Sequence, residues 1–282
     1  MRLCMNMNKY RNKPIHWLLI LMLLGTTSFS EAQCLENKVH SFSIGERVDY
    51  EVYYNWGFIW VNAGEVYFKV SSTELKGKKA YHFISEGKSK PSYDWLYKVR
   101  DRYESKVNYD DFKPLWFIRD TYEGGFKVDE EYHYLPDQNK VAFSLINSKS
   151  TLKKDTLNIQ PCSYDVLATV YHARTIDFDQ HQSGDKIPIS VLIDGELHPL
   201  YIRYLGKETI ETRDKKKYRC IKFKPLLVEG SIFKGGEDMT VWVTDDANKI
   251  PVLVEAKILV GSIKAYLSNA TGIRHPQTSI VQ

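Results

Sequence analysis

From Arg47 to Asn269 apolar and polar residues alternate with a period of two, broken by glycine- and aspartate-rich turns. Val48, Tyr50, Val52 and Tyr54 fall on one face of an extended chain, and Asp49, Glu51, Tyr53 and Asn55 on the other. That pattern belongs to strands with one buried face. An aromatic content of 13% suits it, because flat rings pack well across strands. About a dozen strands are expected, at 47–55, 58–70, 79–86, 99–107, 115–122, 126–134, 141–146 and 150–157, then at 186–193, 196–205, 218–228, 239–244, 250–259 and 262–269. The small pair Ala63-Gly64 marks a bulge or a bend, and Gly124-Gly125 and Asp194-Gly195 mark hairpin turns. A sheet of so many strands cannot stay flat. The expected fold is therefore mainly β, a curved antiparallel sheet or half-barrel whose concave face must be filled by side chains or by a ligand.

One principal helix is expected on that sheet, from Ser163 to about Ile176. Pro161 ends the strand before it, Ser163 is the candidate N-cap, Asp165 complements the positive helix start and Arg174 the negative end. Val166, Leu167, Val170 and Tyr171 form one apolar stripe. No proline- or serine-rich linker divides the chain. The reading is a single mainly-β domain over residues 33–282, with residue 163 as the point about which two lobes would divide.

Residues 1–32 read as a signal peptide. A basic stretch from Arg2 to Lys13 precedes the apolar run Leu18 to Leu24, and Ser30-Glu31-Ala32 is an acceptable small-x-Ala cleavage site. The run is shorter than the roughly 20 residues that span a bilayer, and no later stretch comes close. A mature chain starting at Gln33, exported and without a transmembrane segment, is expected. Glu31-Ala32-Gln33 lacks the large aliphatic and two small residues that precede a lipidated cysteine, so lipid anchoring at Cys34 is not expected. Cys34, Cys162 and Cys220 remain, and an odd number in an oxidising compartment gives one pair and one left over. Spacing does not say which two pair.

Charge and motifs exclude several functions. Of 39 basic and 35 acidic residues, four basic and one acidic lie in residues 1–32, so the mature chain keeps a surplus of one positive charge. A nucleic-acid binder concentrates its surplus in the folded part. There is no G-x-S-x-G, P-loop, G-x-G-x-x-G or H-E-x-x-H segment. The histidines are scattered without ligand spacing, so neither a metal nor a cofactor is expected. Asp129, Glu130 and Glu131 read as an exposed strand flank, Asp245-Asp246 as a turn, and Arg213 to Lys217 as a solvated hairpin tip. Arg100, Asp101, Arg102, Asp165 and Arg174 are candidates for one buried polar cluster. No residue takes a catalytic role, and the reading points away from an enzyme.

Four segments carry a family resemblance: Val61-Asn62-Ala63-Gly64-Glu65-Val66, Lys98-Val99-Arg100-Asp101, the helix from Ser163 to Arg174, and Val241-Trp242-Val243-Thr244-Asp245-Asp246-Ala247-Asn248. Together and in this order they resemble the domain of unknown function 3108 family, exported proteins of Gram-negative bacteria. The resemblance extends roughly over residues 42–280. It implies a periplasmic or envelope location and a curved, largely antiparallel sheet, similar to the half-barrel of the outer-membrane lipoprotein carriers. It supplies no activity.

Aromatics are the one feature above background. Tyr53 to Trp60 holds five rings in eight positions, and Tyr93-Asp94-Trp95-Leu96-Tyr97 adds three near Pro91. Successive rings on opposite faces cannot all enter one core. Tyr54, Trp56, Trp60, Trp95 and Tyr97 are the candidate ligand-binding residues. Two function classes fit. The preferred one is non-enzymatic binding of an apolar or amphipathic ligand, a lipid or acyl chain, in a ring-lined cavity of the curved sheet. The alternative is an adhesion or scaffold module with a filled core, recognising a protein or glycan through exposed aromatics.

Overall fold

The computed structural model describes residues 41–281 apart from 57, 58, 76, 231, 232 and 259, and these belong to one compact unit. The expected signal peptide and Cys34 lie outside the described residues. A first meander comprises β1 (Arg47–Trp56), β2 (Ile59–Leu75), β3 (Lys78–Ser89), β4 (Val99–Asn108), β5 (Pro114–Glu123), β6 (Phe126–Leu135), β7 (Lys140–Asn147) and β8 (Ser150–Asn158). Then come the short β9 (Ser163–Asp165) and the helix α1 (Val166–Ala173). A second meander follows with β10 (Lys186–Ile193), β11 (Glu196–Glu211), β12 (Lys217–Pro225), β13 (Met239–Thr244), β14 (Pro251–Lys257) and β15 (Ser262–Thr271), and β16 (Ile280–Val281) closes the chain.

The sixteen strands form one sheet, ordered β8-β7-β6-β5-β4-β3-β2-β1-β15-β14-β13-β12-β11-β10-β9, with β16 beside β12. Each meander pairs strand to next strand antiparallel, β1 and β15 join the two, and only β9 and β10 run parallel. The curved, mainly β architecture is as the alternation implied. The strand count is higher than a dozen, because β9 and β16 are too short to show a period. The bulge expected at Ala63-Gly64 is present: Val52 pairs with Gly64 and Tyr53 with Asn62, so Ala63 is left over. A Cβ at Gly64 would lie 2.6 Å from the Lys88 carbonyl oxygen.

The helix is shorter than its sequence pattern. Ser163 extends as a strand against β10, its hydroxyl donating to Gln160 O at 2.8 Å. Asp165 is the N-cap instead, accepting from Ala168 N at 2.8 Å. The buried face carries Leu167, Ala168, Tyr171 and His172, with Val166 and Val170 half-buried.

Rings and the helix fill the curve. Phe83 on β3 stacks on Tyr171 of α1 with centroids 3.9 Å apart, and Phe42 meets both edge-on at 5.4 and 5.1 Å. Phe117, Tyr132 and Phe143 extend this core along β5, β6 and β7. Ile189, Ile202, Ile221, Phe223 and Val243 of the second meander make a second core around Phe178. Each such side chain contributes about 1.5–3 kcal/mol on burial. The sheet rolls until its wings touch. The β10–β11 turn, with Asp194 and Gly195 both at positive φ, reaches β5 and β6. There Gly195 N donates to Glu130 Oε1 at 2.9 Å, Arg119 pairs with Asp194 at 2.8 Å, and a Cβ on Gly195 would lie 2.6 Å from the Phe143 ring.

A buried guanidinium ties these parts together. Arg174, at the end of α1, donates to both Glu46 carboxylate oxygens (2.6 and 3.0 Å), to Ser41 O (3.0 Å) and to Asn248 O (3.1 and 3.0 Å). The Ser41 hydroxyl answers at Arg174 O, 2.6 Å. Of the cysteines, Cys162 is disulfide-bonded to a partner outside the described residues, and Cys220 is the free thiol. Burial pushes that thiol up to about 12, which leaves it unreactive at neutral pH.

Glu46→Gln keeps the size of the side chain and strands a buried positive charge. It is expected to lower stability by about 3–5 kcal/mol in denaturant unfolding, and an unchanged midpoint would show that the pair carries no such role.

Candidate functional site

Strand directions sort the connections onto two ends of the sheet. The strand ends that flank the β1–β2, β3–β4, β5–β6, β7–β8, β10–β11, β12–β13 and β14–β15 connections share one end. Among the described residues eleven large apolar side chains are exposed, and eight of them lie at or beside this end: Ile59, Trp95, Leu96, Tyr97, Tyr122, Ile146, Leu152 and Val260. Scattered apolar exposure needs no explanation, but a cluster on one rim does.

The 90–98 connection presents the most exposed ring, Trp95 at 78%. It is ordered by a tight clamp. The Asp94 carboxylate accepts from Arg100 (2.6 and 3.1 Å) and from the Ser89 hydroxyl (2.5 Å). These bonds, the Arg100 ones foremost, hold its pKa below the usual carboxylate range. Pro91 opens a single 3-10 turn, Lys90 N donates to Ala63 O at 2.8 Å, and Gly124 N to Lys98 O at 2.9 Å. Tyr97 lies against the Gly124 turn, where a Cβ would fall 2.1 Å from its ring. The Trp95 indole N–H donates to Ser92 O at 3.0 Å. Fixing the loop this way removes the entropy that a mobile loop would lose on binding.

Two grooves elsewhere have mixed charged and apolar linings. The larger, about 570 Å³, runs across β1 to β5 between Arg47, Glu51, Glu86, Lys88, Arg102 and Asp120, with Tyr67 and Tyr122 as its rings. The Arg47 guanidinium sits 4.0 Å from the Tyr67 centroid. The smaller, about 280 Å³, lies by Trp60, Lys224, Glu255 and Lys264.

Inside the curve the titratable groups are engaged structurally. Asp165 accepts from Ser105 Oγ at 2.8 Å as well as capping α1, and burial pushes its pKa up to about 7. Glu130 takes hydrogen bonds from Tyr132 and Gly195 and faces Arg119. Asp101 sits beside Glu123 on the neighbouring strand, and burial, then the Glu123 charge, lift it to about 7. Arg100 and Arg102 point to the opposite face and pair with Asp94 and Glu104. The five residues considered for one cluster therefore serve separate partners. Glu130, read as an exposed flank, is buried, because the β10–β11 turn folds over it. Arg213 to Lys217 are exposed, as a solvated tip should be, with Arg213 4.2 Å from the Tyr53 ring centroid. Asp246 accepts from Thr244 Oγ1 and Asn248 N, which is turn chemistry.

The five sequence-derived site residues occupy different places. Trp95 and Tyr97 stand on the rim. Tyr54 donates to Val260 O at 3.2 Å and so anchors the β14–β15 turn, three strands away at the same end. Trp60 lines the smaller groove with Lys264 over its ring at 5.0 Å. Trp56 lies on β1, and its side chain is outside the described residues. Sequence reading missed Ile59, Leu96 and Val260, which share only a position at or next to a turn.

The family model for proteins of unknown function DUF3108 matches residues 49–268, from β1 to β15. The chain belongs to the DUF3108 family. It is similar in fold to a beta-barrel-like protein of the domain of unknown function DUF1849 from Brucella abortus. The TM-score is 0.52 at 11% identity, over 82% of this chain and 98% of that one. At that identity the likeness is one of fold. No curated protein matches the chain. In this DUF3108 chain the matched span contains the whole clamp and both rings of the rim.

Asp101 gives the site a pH signature. Its carboxyl holds a proton up to about pH 7 in the fold but loses it near pH 4 when unfolded. The unfolded state therefore binds fewer protons in between, and stability falls as pH rises through that window. Asp101→Asn is expected to gain stability over the parent at pH 8 and little at pH 4. Equal differences at both pH values, in denaturant melts, would remove Asp101 as the source.

Proposed function

We propose that this chain is an exported protein of the Gram-negative envelope that acts by binding and not by catalysis, engaging an amphipathic partner at its ring-bearing rim. The observation that carries this reading is a Trp95 side chain 78% exposed on a loop clamped by Asp94 and Arg100. A rigid exposed indole whose N–H is already satisfied by Ser92 O has apolar area to bury, the profile of an interface anchor. Carriage of a ligand inside the curve would need the volume that α1, Phe42 and Phe83 occupy. Of the two binding classes open to the sequence, recognition through exposed aromatics has the better geometric support. Export is supported by the charge and hydropathy order of residues 1–32. An intact mass beginning at Gln33, from a Gram-negative host, is the expected check.

Titration with lysophosphatidylcholine is expected to shift the tryptophan emission to the blue, and Trp95→Ala to abolish the shift. Trp242, 8% exposed in the second meander, should not respond. A shift of undiminished size in Trp95→Ala would place the binding elsewhere and reject the rim.

A further inference from the structure

We infer that the partner of the rim is a bilayer surface bearing anionic headgroups, met by the loop end of the first meander; this rests on the surface reading above. Charge and apolar exposure coincide there. Lys98 and Lys149 are exposed and Lys90 half-exposed, and none forms an ion pair among the described residues. Lys98 lies 5.8 Å from the Tyr122 centroid and Lys149 5.5 Å from that of Phe126. Their ammonium groups thus sit over ring faces while both side chains remain exposed to solvent. The acids on the 90–98 connection and at the end of β5 do not cancel them: Asp94 is taken by Arg100, and Glu123 is buried at 5% exposure. A protein-binding hot spot would put its indole at the centre of a ring of neutral contacts. Here Lys90 and Lys98 bracket in sequence the segment that carries Trp95 and Leu96, and Lys149 stands at the same end of the sheet, which is the composition of a bilayer interface, with Trp at headgroup depth and Lys toward phosphate.

At the same end the 226–238 loop of the second meander carries paired acids, Glu237 with Arg203 and Asp238 with Lys257. With one indole and a few lysines, attachment is peripheral and reversible, far weaker than a spanning helix.

The test is flotation of the exported chain with vesicles of phosphatidylcholine alone and of phosphatidylcholine with phosphatidylglycerol. Binding is expected for the anionic vesicles, weakening as salt rises. Trp95→Ala should lower partitioning about tenfold. Lys98→Gln combined with Lys149→Gln should lower it about fivefold on anionic vesicles and leave neutral ones unaffected. Unchanged melting temperatures in both variants establish that the fold is intact. Absence of flotation, or flotation equal in Trp95→Ala, would overturn the inference, as would equal binding to both vesicle types. If no vesicle binds while lysophosphatidylcholine still shifts Trp95, the bilayer falls and the rim stands. If Trp95 responds to neither, the rim reading falls with it.

Discussion

The ion pair between Arg174 and Glu46 is the contact on which the rest of the structure depends. A buried pair is poor evidence of net stability, because desolvation offsets much of the attraction. Its consequence is positional. One guanidinium fixes the segment before β1, the end of α1 and the β13–β14 loop through Ser41, Glu46 and Asn248. Asn248 in turn holds the chain end, donating to His275 O at 2.9 Å and accepting from His275 N at 2.8 Å. Phe42 is thereby set beside Phe83 and Tyr171. A curved sheet that would otherwise enclose space is closed on its own rings.

The interior of the curve is thus occupied by side chains. Of the charged groups inside the roll, Asp165 caps α1, Glu130 and Arg119 hold the β10–β11 turn, and Arg174 and Glu46 tie the helix end to the segment before β1. The rim differs. Its exposed apolar area is a standing cost in water, and the Asp94, Ser89 and Arg100 bonds hold it in place instead of letting it fold inward. An ordered loop that keeps an indole in solvent is easiest to understand as a surface waiting for a second apolar phase.

Much of this was legible in the sequence. Alternation placed the long strands, and the glycines placed the bulge at Ala63 and the turns at Gly124 and Gly195, since local chemistry alone decides those features. The helix was placed but overextended, because Ser163 and Asp165 are both good caps, and only pairing with β10 makes the choice. What stayed hidden depends on distant partners. Glu46 lies 128 residues from Arg174, and Glu130 lies 65 residues from Gly195. Period-two reading gives a face to each residue but not the element that covers it. Trp95 and Tyr97 were visible as rings. Their outward presentation follows from the clamp, and Ile59 and Val260 join them only once the strands are ordered.

Hydrogen exchange of the free chain, compared with the chain saturated by lysophosphatidylcholine, tests surface recognition most directly. The expected result is new protection confined to residues 90–98 and 258–261, with α1 and the inner strands unchanged. Altered exchange concentrated in α1 and around Phe83, with the rim loops unaffected, would mean that the ligand enters the curve, and would contradict recognition at the rim.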